Sequence, residues 1–204
     1  RCKAHHTREE QAQFAIVQGG TNLALREECA RELAAMDFPG YALGGFSVGE
    51  GPEAMHAALP HCAPMLPSEK PRYLMGVGRP EDLLAGVAAG IDMFDCVMPT
   101  RNGRHGMAFT RHGQINLRNA RHADDPRPLD EESDWPSTRN ISRAYLHHLV
   151  RSGETLGAML LSEINVAYYQ QLMADMRAAI SAGRFEDFRN QTRAGWARGD
   201  IVAR

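Results

Sequence analysis

One carboxylate stands inside an otherwise apolar run in the middle of the chain. Residues 93–97 read Met-Phe-Asp-Cys-Val between Gly90 and Pro99, a pattern that predicts a buried strand containing Asp95. Burying a carboxylate is costly unless a partner or a reaction justifies it. Asp95 is therefore either a reacting group or a structural one that caps a loop or pairs with Arg101.

A basic stretch follows this carboxylate directly. Residues 99–106 are polar and glycine-rich, which predicts a turn, and they carry Arg101, Arg104 and His105. A strand that ends in a carboxylate and continues into a basic loop can hold a reacting centre beside a phosphate. Such basic runs are usually a solvated face, but beside a candidate site this one favours a nucleic-acid backbone. Residues 101–122 contain no carboxylate and five arginines: Arg101, Arg104, Arg111, Arg118 and Arg121.

Short apolar strands separated by helical segments are the elements that would position these groups. Beside the Asp95 strand, strands are predicted at 14–17, 41–43 and 73–75, each ending in glycine or a polar residue. Alternation of strands and helices indicates βα units and a parallel sheet. The candidate site stretches all lie just past the C-terminal ends of strands, where active sites occur in (β/α)8 barrels and open α/β sheets. Four such units amount to half a barrel.

Three helical segments are indicated in this first part of the chain. Thr7 and Glu10 have capping-box spacing, which predicts a short helix before the first strand. The spacing of apolar residues predicts a helix over 22–36, and Pro80 opens a further helix that Gly90 closes.

The pattern changes after residue 106. Residues 107–110 and 114–117 alternate like the strands of a β-hairpin, and residues 123–140 are predicted to form an irregular loop. The remainder, from 142 to about 193, is helical. We therefore predict two domains, 1–106 and 107–204. The predicted apolar stripe of the helical part comprises Leu146, Leu149, Leu156, Met159, Leu160, Leu172, Met173 and Met176.

Composition limits the classes of protein to which the chain can belong. A length of 204 residues allows one sizeable core, and a net charge of −2 confines any nucleic-acid contact to a local patch. The four cysteines are scattered, which suits a reducing compartment. With no apolar run of membrane-spanning length and no signal peptide, we expect a cytoplasmic protein without a membrane partner. The sequence begins with Arg1 rather than Met, which leaves open that it is a fragment.

The run at 93–97, followed by Pro-Thr-Arg at 99–101 and by Gly103-Arg104 and Gly106, resembles the nucleophile strand and following loop of the tRNA-guanine transglycosylases. This is the queuine tRNA-ribosyltransferase family of queuosine biosynthesis. The resemblance extends over nearly the whole chain but covers only the C-terminal half of a family member. It implies the C-terminal part of a (β/α)8 barrel with an appended hairpin and helical subdomain.

The resemblance also implies roles for individual residues. Asp95 would be the nucleophile, and Arg101, Arg104 and His105 would grip the tRNA backbone near the wobble position. Val48 resembles the bacterial branch, which uses a 7-deazaguanine precursor of queuosine. Four residues would form the base site, through the Gln18 side chain, the Gly45 amide, a carbonyl near Phe46 and the Met75 side chain.

The chemistry that the family performs suits these residue types. Base exchange at a ribosyl carbon passes through an oxocarbenium-like state, which a carboxylate can trap as a covalent intermediate. Hydrogen bonds from Gln18 and Gly45 to the base would favour its departure. The general acid/base aspartate of the family lies in the N-terminal half, outside the matched region.

Members of the family carry a zinc subdomain with three cysteines and a histidine. The matching positions here are Ser133, Trp135, Thr138 and Ile164, none of which is a thiolate or an imidazole. We therefore expect no metal and no cofactor. The loop around residues 123–140 should be held by packing instead, with Trp135 buried as its anchor.

Three functions remain open on the sequence. The first is a bacterial-type tRNA-guanine transglycosylase, whose partners are tRNA and a 7-deazaguanine base or guanine. The second is a non-catalytic or truncated tRNA-binding relative that acts with another chain. The third, a metabolic barrel enzyme without an RNA partner, is disfavoured by the arginines of 101–122. Half a barrel leaves open edges, so we expect a homo-oligomer or association with a missing N-terminal half.

Overall fold

The structure is a computed structural model, and it describes residues 1–46 and 51–199. The chain divides into two compact units, Arg1–Cys96 and Val97–Arg204, which are described separately. The domain organisation predicted from the sequence, 1–106 and 107–204, stays a prediction. None of the helices in the described part is long and apolar enough to cross a membrane.

Unit 1, Arg1–Cys96, is a four-stranded parallel sheet with helices between its strands. The sheet order is β1-β2-β3-β4, so each strand pairs with its neighbour in sequence. This confirms the predicted α/β class with a parallel sheet. The elements are α1 Cys2–His5, β1 Phe14–Val17, α2 Leu23–Ala35, β2 Gly40–Leu43, α3 Pro52–Cys62, a 3-10 turn Ala63–Met65, β3 Arg72–Leu74, α4 Pro80–Ala88 and β4 Met93–Phe94.

Local sequence signals account for the ends of the helices between strands. The side chain of Asn22 caps α2 by accepting a hydrogen bond from the Leu25 amide at 3.2 Å. Helix α4 begins with Pro80, and Glu81 and Asp82 lie in its first turn, where the helix dipole favours acids. The capping-box prediction at Thr7 is wrong, because the short helix there, α1, ends at His5 and the chain is irregular at Thr7.

The two faces of the sheet differ in how well they are covered. Val17, Leu43 and Leu74 form one row across β1, β2 and β3, and each is at most 1% exposed in the core beneath the helices. The preceding row points to the opposite face, because side chains alternate along a strand. There Ile16 is 41% and Met93 45% exposed. Parallel sheets normally have both faces covered, so the described residues of unit 1 leave one face of this sheet incomplete.

Unit 2, Val97–Arg204, consists of a hairpin packed among helices. The hairpin pairs 107–110 with 113–116, one residue from the predicted second strand. Its core is apolar and gathers residues from the hairpin, α7 and α8. The elements are α5 Met98–Arg104, β5 Met107–Thr110, β6 Gly113–Asn116, a 3-10 turn Ala120–His122, α6 Pro136–Asn140, α7 Arg143–Ser152, α8 Thr155–Ser181 and α9 Phe185–Arg198.

Close packing of α5 on α8 organises unit 2. A Cβ at Gly103 would lie 2.6 Å from the Ser162 amide nitrogen, so only glycine allows this approach. Asn165 of α8 is fully buried, and its amide group donates to the carbonyls of Pro99 and Met107, both at 2.9 Å. Its carbonyl oxygen accepts from the Phe109 amide at 2.8 Å. One side chain thus joins α5, the hairpin and α8.

Two predictions for this region are wrong. Residues 98–104 are helical rather than a turn, because Pro99 lies in the first turn, where proline is tolerated, and Gly103 is used for helix packing. Leu156 is 43% and Met159 62% exposed, so they do not belong to the apolar stripe of the core. Helix α8 is 27 residues long and turns only part of its surface inward, toward residues such as Leu161.

Candidate functional site

The predicted strand-end residues of unit 1 lie side by side. Gln18, Gly44, Met75 and Asp95 each come one residue after the last paired position of their strand. Alternation places them on the incompletely covered face of the sheet. Gln18 and Asp95 are exposed and Met75 is half-buried. The structure therefore brings together one residue from each of the four predicted stretches.

Asp95 is held by two hydrogen bonds from strand β3 and the turn after it. The Tyr73 hydroxyl donates to Asp95 Oδ1 at 2.5 Å, and the Gly76 amide donates to the same oxygen at 2.7 Å. These bonds, first that from Tyr73 and then that from Gly76, lower the pKa of Asp95 below its ordinary value. The same bond raises the pKa of Tyr73 to about 12. Asp95 is thus an ionised carboxylate with a fixed orientation.

The environment of Asp95 differs from the buried strand position that we predicted. Strand β4 has only two residues, so Asp95 follows the strand and is exposed within its unit. The cost of desolvation therefore does not explain this carboxylate. Its bonds to Tyr73 and Gly76 orient it without removing it from the surface.

Gln18 lies against the backbone of the loop after β2. A Cβ at Gly44 would lie 2.5 Å from Gln18 Nε2, and one at Gly45 would lie 3.1 Å from Gln18 Oε1. Gly45 also has φ +74°, a conformation that favours glycine. The Gln18 side chain and the Gly45 backbone are therefore neighbours, as a shared ligand would require. The prediction for Val48 concerns a residue outside the described part of the chain.

The predicted tRNA-binding residues lie together in unit 2. Arg101 and Arg104 are exposed in the last turn of α5, and a ring nitrogen of His105 lies 2.7 Å from the Arg101 carbonyl oxygen. Arg111 does not extend the predicted cationic surface, because it forms ion pairs with Asp130, at 2.6 Å, and with Glu132. Arg118 adjoins the remaining basic residues, because its Nε donates to the His105 carbonyl oxygen at 3.0 Å.

Comparison with known proteins shows relatives along the whole chain. The sequence profile described as queuine tRNA-ribosyltransferase matches residues 1–198. The chain belongs to the queuine tRNA-ribosyltransferase family. Curated relatives with that name include a protein of Brucella melitensis biotype 1, 62% identical over 204 residues, which are 100% of this chain and 54% of the relative. Another is from Rhizobium meliloti, 61% identical over 202 residues, or 98% of this chain and 54% of the relative.

A third relative named queuine tRNA-ribosyltransferase comes from Thiobacillus denitrificans. It is 58% identical over 188 residues, which are 92% of this chain and 51% of that protein. The chain spans about half the length of the curated relatives that it matches.

The zinc that resemblance to the queuine tRNA-ribosyltransferase family implies does not fit the residues of this chain. Ile164 is 1% exposed in the apolar core of unit 2, and Thr138 is 7% exposed. Ser133 and Trp135 complete the set, which offers neither thiolate nor imidazole. Within residues 1–46 and 51–199, no group of three histidine, cysteine or acidic side chains could hold a metal ion.

The prediction that Trp135 is a buried anchor is wrong. Trp135 is 43% exposed, and its indole N–H donates to Glu163 at 2.9 Å. The Ser137 hydroxyl donates to the same carboxylate oxygen at 3.2 Å. Because Glu163 lies at the surface of α8, the indole stays at the surface to reach it.

Sequence reasoning missed two residues that the structure places at the candidate site. Tyr73 precedes Met75 by two positions, so strand alternation would have placed it on the face of Asp95. Arg26 is fully buried beneath the glycine loops. Arg26 lies in the first turn of α2, where the helix dipole disfavours a cation. That unfavourable position is the feature of the sequence that could have indicated a special role for Arg26.

Proposed function

We propose that this chain forms the base-exchange half of a bacterial-type tRNA-guanine transglycosylase. The row of Gln18, Gly44, Met75 and Asp95 at the strand ends carries the proposal. An ionised, oriented carboxylate, a glycine loop and an amide side chain that can read a purine edge lie at the same edge of the sheet. Membership of the queuine tRNA-ribosyltransferase family supports the same function.

In the proposed reaction, Asp95 is the nucleophile. The bond between ribose C1′ and guanine N9 breaks, its electron pair leaves with the base, and a bond forms between C1′ and a carboxylate oxygen of Asp95. A 7-deazaguanine base then attacks C1′ through its N9 and releases Asp95, so configuration is retained. The bonds from Tyr73 and Gly76 favour this role, because both keep Asp95 anionic and fixed.

Base recognition would use the groups beside Asp95. The Gln18 side chain and the Gly45 amide can donate to acceptors on the guanine edge, while a carbonyl near Phe46 accepts from the base. Donors aimed at the departing base are worth most where negative charge develops. Met75 would pack against the face of the base. An acid/base group outside this chain would give the leaving base its proton and take the N9 proton of the incoming base.

The tRNA would be held by Arg101, Arg104 and His105. These groups cluster on the last turn of α5 and the residue after it, which suits contact with one or two adjacent phosphates. Each arginine–phosphate contact should contribute about one unit to the salt slope of binding.

We further propose that the sheet of unit 1 is the C-terminal part of a (β/α)8 barrel. Ile16 and Met93, each more than 40% exposed, lie on the face that would point into such a barrel. Covering that face requires further strands from another segment or a second copy of the chain. Sedimentation should therefore reveal association, and a strictly monomeric 204-residue chain that unfolds cooperatively would contradict this.

The last part of the proposal is that unit 2 needs no zinc. The segment 130–138 is joined to the rest of the unit by Trp135 bonding to Glu163 and by Arg111 bonding to Asp130. These contacts connect it to α8 and to the hairpin turn, as a shared metal ligand set would. Elemental analysis should find no stoichiometric zinc, and chelator should leave the thermal midpoint unchanged. One zinc per chain that persists through chelation would contradict this.

The natural protein that carries this chain should be tested with tRNA containing guanine at the wobble position and with radiolabelled guanine. Label should enter the tRNA, and a denaturing gel should reveal a covalent protein–tRNA band that free competing base removes. The matched control is the same tRNA with adenine at the wobble position. Salt-dependent binding without exchange or adduct would contradict the proposal and favour the non-catalytic tRNA-binding relative.

A further inference from the structure

Arg26 is a fully buried charge placed between the two loops that bear the proposed base-reading groups. It lies in the first turn of α2, and no part of its side chain reaches solvent. Burying a guanidinium is unfavourable unless its donors are satisfied, so its partners reveal what it holds.

Two of these partners are backbone carbonyls, one from each loop. Arg26 Nε donates to the Gly20 carbonyl at 2.6 Å, and Nη2 donates to the Gly44 carbonyl at 2.9 Å. The guanidinium also lies over the ring of Phe46, with Cζ 3.7 Å from the ring centroid. One side chain therefore connects the loop after β1 to the loop after β2.

The glycine of the first loop is required by this arrangement. A Cβ at Gly19 would lie 2.9 Å from Arg26 Cγ, and Gly19 has φ +141°. The turn after β1 can therefore pass over Arg26 only if residue 19 has no side chain. This contact explains Gly19, which the sequence alone leaves as part of a tight turn.

The Gly44 carbonyl belongs to the same peptide group as the Gly45 amide. That peptide is planar and trans, so its N–H points away from its C=O. A hydrogen bond from Arg26 to the carbonyl therefore fixes the direction of the Gly45 N–H on the far side. It also polarises the peptide, which makes the N–H a stronger donor.

We propose that Arg26 is a positioning residue for base recognition and departure, acting through the Gly44–Gly45 peptide. The inference rests on the proposed function for the meaning of the Gly45 amide. The cation orients that amide and strengthens its bond to the base as negative charge develops there. Through Gly20 it also holds the turn that bears Gln18, so the two donors keep a constant separation.

The test compares Arg26→Met and Arg26→Lys in the natural protein, with Arg31→Met as the matched control, because Arg31 is exposed on the same helix. Arg26→Met should raise the KM for guanine about tenfold, since a charge-assisted bond is lost, and leave the KM for tRNA unchanged. Arg26→Lys should fall between Arg26→Met and the unmodified protein. The Gly45 amide nitrogen resonance should move in both Arg26 variants and stay in place in Arg31→Met.

The outcomes separate this inference from the proposed function. Loss of folded protein alone would lower the rate in proportion to the folded fraction seen by circular dichroism. The kcat per folded molecule and both KM values would then stay unchanged, and that result would overturn a positioning role. An unchanged Gly45 resonance in Arg26→Lys would also overturn it, whether or not exchange occurs. In another outcome, the unmodified protein shows no base exchange while the Gly45 resonance still moves in the Arg26 variants. That result would overturn the proposed function and support the orientation of the Gly44–Gly45 peptide by Arg26.

Discussion

Both units contain a buried helical arginine that donates to the carbonyls of neighbouring loops, and the acceptors differ. Arg26 of unit 1 binds the Gly20 and Gly44 carbonyls. Arg143 of unit 2 is 4% exposed and donates to two carbonyls of the segment 128–129, at 2.9 and 3.1 Å. Arg143 also faces a carboxylate three residues before this segment, Asp125, whose Oδ2 lies 3.9 Å from Arg143 Nη1.

This difference shows that a buried arginine can either orient a peptide at a candidate site or hold a loop through an acid. The acceptors of Arg26 are carbonyl groups, which do not titrate, so its hydrogen bonds do not weaken through their acceptors as pH changes. Its charge polarises the peptide between Gly44 and Gly45. The groups around Arg143 include a carboxylate that titrates, Asp125. We expect changes in unit 1 to alter chemistry and changes in unit 2 to alter stability.

The sharpest test of this comparison is Asp95→Asn. The substitution preserves size and removes the anion, so the exchange rate should fall by at least about 10⁴-fold and the covalent tRNA band should vanish. Because Asp95 is exposed and an asparagine oxygen can also accept from Tyr73 and Gly76, the free energy of unfolding should change by less than about 1 kcal/mol. Exchange kinetics, a denaturing gel and urea unfolding measure the three effects.

Asp92→Asn is the control, since Asp92 lies at the other end of the same strand. It accepts the Arg72 amide at 2.8 Å, a bond that an asparagine oxygen can also accept. An adduct that persists in Asp95→Asn would show that the nucleophile is another group.

For unit 2 the largest expected effect is from Arg143→Met. It leaves buried carbonyls and part of the Asp125 charge without their donor, so unit 2 should lose about 3 kcal/mol of stability. Both tryptophans of the chain, Trp135 and Trp196, belong to this unit, so intrinsic fluorescence during urea unfolding reports on it alone. The exposed Arg151 of the same helix provides the control, Arg151→Met, which should change stability little. Equal losses of stability in Arg143→Met and Arg151→Met would show that burial of Arg143 does not stabilise unit 2.

Acid should weaken unit 2 through Asp125. Hydrogen bonds from Arg127, at 2.8 and 2.6 Å, lower the pKa of Asp125 from 3.8 to about 2. A depressed pKa gives a contribution that is fully present above the ordinary value and is lost as pH falls from about 4 to about 2. That contribution is about 2 kcal/mol, and Asp125→Asn should remove the corresponding pH dependence. A variant whose fluorescence-detected stability keeps the same slope in this range would contradict the assignment.

The smallest expected effect is at the position of a family zinc ligand. Trp135→Phe preserves the ring and removes the donor to Glu163, so unit 2 should lose about 1 kcal/mol. Ser137→Ala removes the longer bond to the same carboxylate and should cost less. Because Trp135→Phe changes the fluorescence, circular dichroism is the measurement for both variants. A larger loss of stability in Ser137→Ala would show that Ser137, rather than Trp135, makes the more important bond to Glu163.

Much of this architecture was predictable because its signals are local. Apolar runs that end in glycine indicated the strands of the parallel sheet, the spacing of apolar residues indicated α2, and Pro80 marked the start of α4. The row of site residues followed from the rule that parallel strands end at one edge.

What the sequence could not reveal depends on contacts between distant residues. Helix α5 was hidden because Gly103 signals a turn locally and is justified only by the backbone of α8. The Arg26 clamp joins carbonyls, and any residue type has a carbonyl. Trp135 was misplaced because its partner, Glu163, lies 28 positions away and at the surface.

The strand order β1-β2-β3-β4 has a consequence for how the protein is made. Each strand pairs with its predecessor in the chain, so no strand has to insert between two that have already joined. A ribosome adds about 5–20 residues per second, so each new strand can reach its partner within seconds of emerging. Asn165 differs, since it bonds to Pro99, 66 positions earlier, and closes unit 2 only after most of that unit has been synthesised. Unit 1 can thus assemble stepwise during translation, whereas unit 2 must wait for α8.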